Sequence, residues 1–241
     1  MLRYASRTAL ALATVAVAAA PALRAQGATP DSRPTVAVMH FNNGATGKAH
    51  EELDALRGGI ADILIGEMSA NPAIRVVERE QVDKLVAEQN LSATERIDKA
   101  TAVRIGKMLG AHHMIFGGYM TDRKNRMRLD ARAVNVETGE IEYTQSVSGN
   151  TDDFSDMIAQ LAAKLNSGMK LPAMAARTSD ASAAAKPPFQ VVMLYSRAIA
   201  EENGGRKDEA VRLYKAALDK FPQYAAAKKA LTRLESSKSG E

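Results

Sequence analysis

Two alternating runs constrain the fold most tightly. They are RMRLDARAV (126–134) and IEYTQSV (141–147), joined by ETGE (137–140). Alternation with period two is the pattern of β-strands, whose successive side chains point to opposite faces. Met127, Leu129, Ala131 and Ala133 share one face, and Arg126, Arg128, Asp130 and Arg132 the other. On the second run Ile141, Tyr143 and Val147 carry the apolar parity, while Glu142, Thr144 and Ser146 carry the polar one. The spacing predicts a hairpin buried on one face, its polar face solvated and carrying cross-strand ion pairs to Glu142. Such a hairpin needs further strands and a helical layer to cover its apolar side.

The preceding residues supply both. Thr35 to Phe41, Ile74 to Val77 and His112 to Met120 read as apolar strands. Glu51 to Ala70 carries Leu53, Leu56, Ile60, Ile63 and Leu64 at helical spacing and stops at Asn71-Pro72. Arg79 to Asn90 and Asp98 to Leu109 are further helices, the latter stopped by Gly110. After the hairpin strands (Arg126 to Val136 and Glu140 to Ser148), Thr151 and Asp152 are expected to cap a last helix. The order β-α-β-α-α-β-β-β-α implies an α/β (α+β) domain over 34–168, with a mixed five-stranded sheet and packed helices.

The ends differ in character. Residues 1–25 have Arg3 and Arg7, an apolar run from Ala9 to Ala20, and Pro21 before small residues. This is the pattern of a signal peptide, too short to span a bilayer, so the chain is expected in the periplasm with no integral membrane segment after cleavage. The chain has 32 Lys+Arg and 28 Asp+Glu; losing Arg3, Arg7 and Arg24 leaves 29 against 28. That near-neutral balance gives no support to nucleic-acid binding. Cysteine is absent, so neither disulfides nor a lipid-bearing cysteine are expected. Residues 171–188 are rich in Ala, Ser and Pro and read as a linker. In 189–236, Gly205, Ala210, Tyr214, Ala217 and Pro222 stand at the spacings of one tetratricopeptide (TPR) repeat, a small all-α hairpin.

No catalytic constellation emerges. NNGATGK (42–48) follows a strand and precedes a helix, as a P-loop would, but Asn42 replaces the first glycine and Ala49 the metal-binding hydroxyl. An Asn/Gly turn fits better. His112 and His113 are strand neighbours on opposite faces and cannot chelate one ion together, and His40 and His50 complete no site. Glu78, Glu80 and Glu88 suit structural roles better than acid/base chemistry. No metal, no cofactor and no enzymatic activity are expected.

The stretches VAVMHF-NN, IRVVEREQVDKLVAEQNL, IGKMLGAHHMIFGGYM and LDARAVNVETGEIEYTQSVSG, taken in order, resemble the CsgG/HfaB family of curli and holdfast assembly and secretion components. The resemblance covers residues 34 to about 167. It implies a non-enzymatic periplasmic interaction protein of outer-membrane assembly or secretion, with envelope or outer-membrane proteins as partners; a homo-oligomer is compatible with it. Channel-forming members insert long alternating strand pairs after the segments matching GGYM and EYTQSVSG. Here only TDRKNR and NTDDFSDM stand at those places, so no pore is expected. The alternative implied function is a periplasmic regulator that docks on an envelope enzyme such as a peptidoglycan synthase. The candidate protein-contact residues are Arg126, Arg128 and Arg132 on the hairpin and Tyr195 and Tyr214 in the tail.

Overall fold

Strand β1 (Thr35–Asn43) pairs in parallel with the short β2 (Arg75–Val76) on one side and with β3 (His113–Thr121) on the other. From β3 the sheet continues as an antiparallel meander through β4 (Arg126–Asn135) and β5 (Ile141–Asn150), giving the order β2-β1-β3-β4-β5. The computed structural model describes residues 31–89, 97–122, 125–174 and 186–238. The expected signal peptide and most of the expected linker lie outside them.

The mixed five-stranded sheet with packed helices is the expected one. Its β1 strand contains an irregularity that the sequence pattern hides. Val38 pairs with Ile115 and Phe41 with Gly117, so Met39 and His40 together face one residue, Phe116. The extra residue changes the strand's parity. Val36, Val38 and Phe41 therefore join one core, and Ala37 and Met39 the other.

Helices cover the two faces unequally. On the first face, α2 (Leu56–Ser69) and α5 (Phe154–Gly168) bury Leu56, Ile60, Leu64, Phe154, Ile158 and Leu161 against Ile115, Leu129, Ala131 and Ala133. On the second, α3 (Arg79–Glu88) and α4 (Lys99–Leu109) bury Val82, Val86, Ala102 and Ile105 against Met39, Met114, Phe116 and Val134. Asp98 caps α4 by accepting from the Thr101 N–H at 2.8 Å, and Gly110 ends it in the left-handed region (φ 63°).

Several expectations are corrected. The single helix over 51–70 is two: α1 (Lys48–Leu53) and α2, broken at Asp54-Ala55. The Tyr119 hydroxyl donates to the Leu53 carbonyl at 2.7 Å and so satisfies an acceptor at the break. The last helix is not capped by Thr151 or Asp152. Asn150 accepts from the Asp152 N–H at 3.0 Å, and a 3₁₀ turn (Thr151–Asp153) leads into α5. Ile141 is 44% exposed rather than inward, because the register shifts between Ala133, paired with Tyr143, and Val134, paired with Ile141.

The tail forms α6 (Phe189–Asn203), α7 (Lys207–Lys220) and α8 (Ala225–Lys238), and it belongs to the same unit as the sheet. Ala210, Tyr214 and Ala217, three of the repeat-like positions, are fully buried in the tail's own core with Tyr195 and Ala198. Part of the expected linker is held: Leu171 is buried, and the Pro172 carbonyl accepts from the side-chain amides of Asn71 (2.8 Å) and Asn166 (3.0 Å).

Candidate protein-contact site

The tail meets the α/β part along α2. Small residues on α2 allow α6 to approach. A Cβ on Gly59 would lie 1.8 Å from the Ser196 Oγ, and one on Gly58 would lie 3.2 Å from the Ile199 side chain. Val192 enters the main core, and the Phe189 ring rests against Phe154 with centroids 5.5 Å apart. A polar network surrounds this apolar contact.

Arg79 is the hub of that network. It opens α3, is 3% exposed, and donates to Asp62 (3.2 Å), Glu80 (3.2 Å), Asp83 (2.6 Å) and the Asn203 side-chain oxygen (3.1 Å). Asp62 also accepts from the Tyr195 hydroxyl, and Asp83 is paired with His40 at 2.7 Å. From the tail, Arg233 reaches Glu80 (3.1 Å) and forks onto Glu202, while Lys229 reaches Glu78 (3.1 Å). The buried guanidinium is compensated on every side, as a buried charge must be.

The two buried aspartates respond in opposite directions. Burial pushes the Asp62 carboxyl above the ordinary 3.8, outweighing the Tyr195 and Arg79 contacts. Burial also acts to raise Asp83, but the His40 hydrogen bond and charge, together with Arg79, bring it below 3.8. Burial raises the phenols of Tyr195, Tyr214 and Tyr224.

The second surface is the half of the sheet that α3 and α4 leave uncovered. Arg126, Arg128 and Arg132 are exposed there, beside Thr144 and Ser148. Arg128 forks onto Asp130 at 2.8–3.0 Å. The expected cross-strand pairing to Glu142 does not form; that carboxylate takes His113 instead. Met108, Met120 and Ile141 are the exposed large hydrophobic side chains among the described residues; Met120 stands across from Arg128 on β3, and Ile141 opens β5.

The five candidate contact residues therefore divide. The three arginines present a free face. Tyr195 (3% exposed) and Tyr214 (0%) lie inside, the former on Asp62 and the latter donating to Glu202 at 2.8 Å. They are contacts within the chain. Sequence reasoning missed Asp62, Arg79, Asp83 and Asn203. The one signal for this joint was Gly58-Gly59 inside a helix, a costly pair unless something must come close.

The other motifs resolve as structure. In NNGATGK the Asn43 side chain accepts from the Ala45 N–H (3.0 Å) and donates to the His50 carbonyl (2.9 Å), so the loop is wound around an asparagine. Lys48 is exposed. His112 accepts from the Thr35 N–H at 2.9 Å. Among the described residues no group of three or more His, Asp or Glu is placed to hold a metal ion, and no helix is long and apolar enough to cross a membrane.

No curated protein matches the chain. Among solved structures, the LpoB C-terminal domain from Salmonella enterica is similar at 19% identity, covering 53% of this chain and 89% of that one, with a TM-score of 0.34. Lipoprotein GNA1162 from Neisseria meningitidis is similar at 10% identity, covering 56% and 98%, with a TM-score of 0.39. A PelC dodecamer from Paraburkholderia phytofirmans is similar at 16% identity, covering 58% and 90%, with a TM-score of 0.37. The family model described as curli production assembly/transport component CsgG matches residues 18–121, ending where β3 ends. Residues 18–121 thus match the CsgG family model, and α6–α8 lie beyond the match.

Proposed function

We propose that this chain is a non-enzymatic protein-interaction component of outer-membrane assembly or secretion, exported to the periplasm and lacking the membrane hairpins of a channel. One observation carries the reading. The β3–β4 connection is four residues, Asp122 to Asn125, and β5 passes directly into the turn at Thr151. A membrane-crossing strand takes about 9–11 residues, so neither connection holds a transmembrane pair. What these short connections leave is an uncovered sheet face with three arginines, a surface suited to a protein partner.

The CsgG match supports the envelope setting, and the export-type N-terminus supports the periplasm. The test is fractionation of cells expressing the native chain. Release by osmotic shock, or membrane recovery that salt alone reverses, is the expected result. Outer-membrane recovery that resists salt and carbonate, or channels in planar bilayers, would overturn the reading.

A further inference from the structure

Strand β5 is the last strand of the sheet, and its far edge is open. We propose that this edge receives an extended acidic segment of a partner protein, which adds to the sheet as a further strand beside β5. The inference rests on the interaction-protein reading and gives that partner a mode of attachment and a charge.

The backbone is the first argument. The Thr151 N–H donates to the Asn125 carbonyl at 3.0 Å, one step beyond the Arg126–Asn150 pair. Bonded and unbonded pairs alternate along an antiparallel ladder, and the β4–β5 register runs unbroken from there to the Ala133–Tyr143 pair. Tyr143, Gln145, Val147 and Gly149 therefore bond to β4, whereas the N–H and C=O groups of Thr144, Ser146 and Ser148 point away from the sheet. Among the described residues, the Ser146 carbonyl alone of these groups has a partner, the Gln145 side-chain amide at 2.6 Å. Edge strands are ordinarily blunted by shortness, lysine, proline or a covering element. The opposite edge, β2, is two residues long. Strand β5 is ten residues long and holds neither lysine nor proline. Its first residue, Ile141, adds an exposed apolar side chain.

Charge is independent of that geometry and selects the occupant. In the register of β4 and β5, Arg132, Arg128 and Arg126 stand beside Thr144, Ser148 and Asn150. Arg128 is forked onto Asp130, while Arg126 and Arg132 make no ion pair among the described residues. An added strand would lie about 10 Å from β4, two strand spacings away. The short side chains of Thr144, Ser146 and Ser148 leave the guanidinium groups a path to it. Carboxylates opposite Thr144 and Asn150 would meet Arg132 and Arg126, so the segment is acidic at two positions with the same separation as that pair. This spacing holds whether the added strand runs parallel or antiparallel. A second copy's β5 fits less well, because its one carboxylate, Glu142, is held by His113. A lipid or polysaccharide anion would meet the arginines but leave the backbone edge open, whereas an added peptide strand satisfies both.

The test uses the full chain and the peptide acetyl-Thr-Glu-Val-Ser-Thr-Thr-Val-Glu-Thr-amide, followed by NMR of the backbone amides and by amide exchange. The peptide should shift the Thr144, Ser146 and Ser148 amides saturably and slow their exchange. Replacing both its glutamates with lysine, or N-methylating its serine and the following threonine, should abolish both effects. Arg132→Ser should weaken binding about threefold, and Arg126→Ser combined with it about tenfold, the effect of exposed charge pairs. Both variants should melt close to the parent. Absence of binding, equal binding by the lysine peptide, or binding undiminished by N-methylation would overturn the proposal. So would slow exchange of these amides in a peptide-free chain that sediments as a dimer, which would give the edge to a second copy. None of these results depends on where the chain fractionates in cells.

Discussion

A Cβ placed on Gly59 would come within 1.8 Å of the Ser196 Oγ and 2.7 Å of the Ser196 Cβ, so α2 and α6 touch at a glycine that no other residue can replace without movement. Gly59→Ala should therefore lift the tail or strain α2, costing about 1–3 kcal/mol. Ser196→Gly should recover part of the loss in the double variant. Gly66→Ala, in the same helix but with open space around it, should be neutral or stabilising by up to about 1 kcal/mol. Urea denaturation of the four proteins decides this; equal effects at 59 and 66 would refute the close crossing.

Arg79 is predicted to matter more than any exposed cation. Arg79→Met strands Asp62 and Asp83 in a buried setting and should cost about 3–5 kcal/mol. Arg126→Ser on the open sheet face should cost no more than about 0.5 kcal/mol. Thermal melts of both variants compare them directly.

The two aspartates should carry opposite pH dependence. Asp62 is raised in the folded state, so its contribution is present below 3.8 and is lost as pH rises through its folded value. Asp83 is lowered, so its contribution is present above 3.8 and is lost as pH falls through its folded value. Relative to the parent protein, Asp62→Asn should gain stability as pH rises above 3.8 and the parent's buried carboxyl is forced to ionise. Asp83→Asn should show its largest deficit at neutral pH and lose that deficit in acid. Parallel pH–stability curves for the two variants would refute the assignment.

The tail should depend on the domain it docks on. An isolated fragment 189–241 is expected to be largely unfolded or self-associated, because Val192 and Phe189 lose the core they pack into. Fragment 26–170 should fold alone, and 26–174 should be more stable, since it retains the Pro172 carbonyl that Asn71 and Asn166 bond. A monomeric, cooperatively melting 189–241 would show a self-sufficient tail.

Much of the architecture was legible because it rests on periodicity. The alternation of Met127, Leu129, Ala131 and Ala133 against Arg126, Arg128 and Arg132 needs only the pleat of a strand. What was hidden depends on contacts distant in sequence. The β1 irregularity at Met39-His40 changes parity without a glycine or proline to mark it. The break at Asp54-Ala55 is supported by Tyr119, 65 residues away. Tyr195 carried an aromatic signal that suits a binding surface equally well, yet its partner is Asp62 across 133 residues. Arg79 reads in the sequence as an ordinary first-turn residue, and its burial follows from Asp62, Asp83 and Asn203 converging on it from distant parts of the chain.

The most direct test of the central claim is affinity purification of the tagged chain from its native envelope, beside a variant with Arg126, Arg128 and Arg132 all changed to Ser. The account predicts that outer-membrane assembly or secretion proteins co-purify with the parent chain and are lost or strongly depleted with the variant, whose melting temperature stays close to the parent's. Recovery of a cell-wall synthase instead, or an undiminished partner set with the variant, would contradict it.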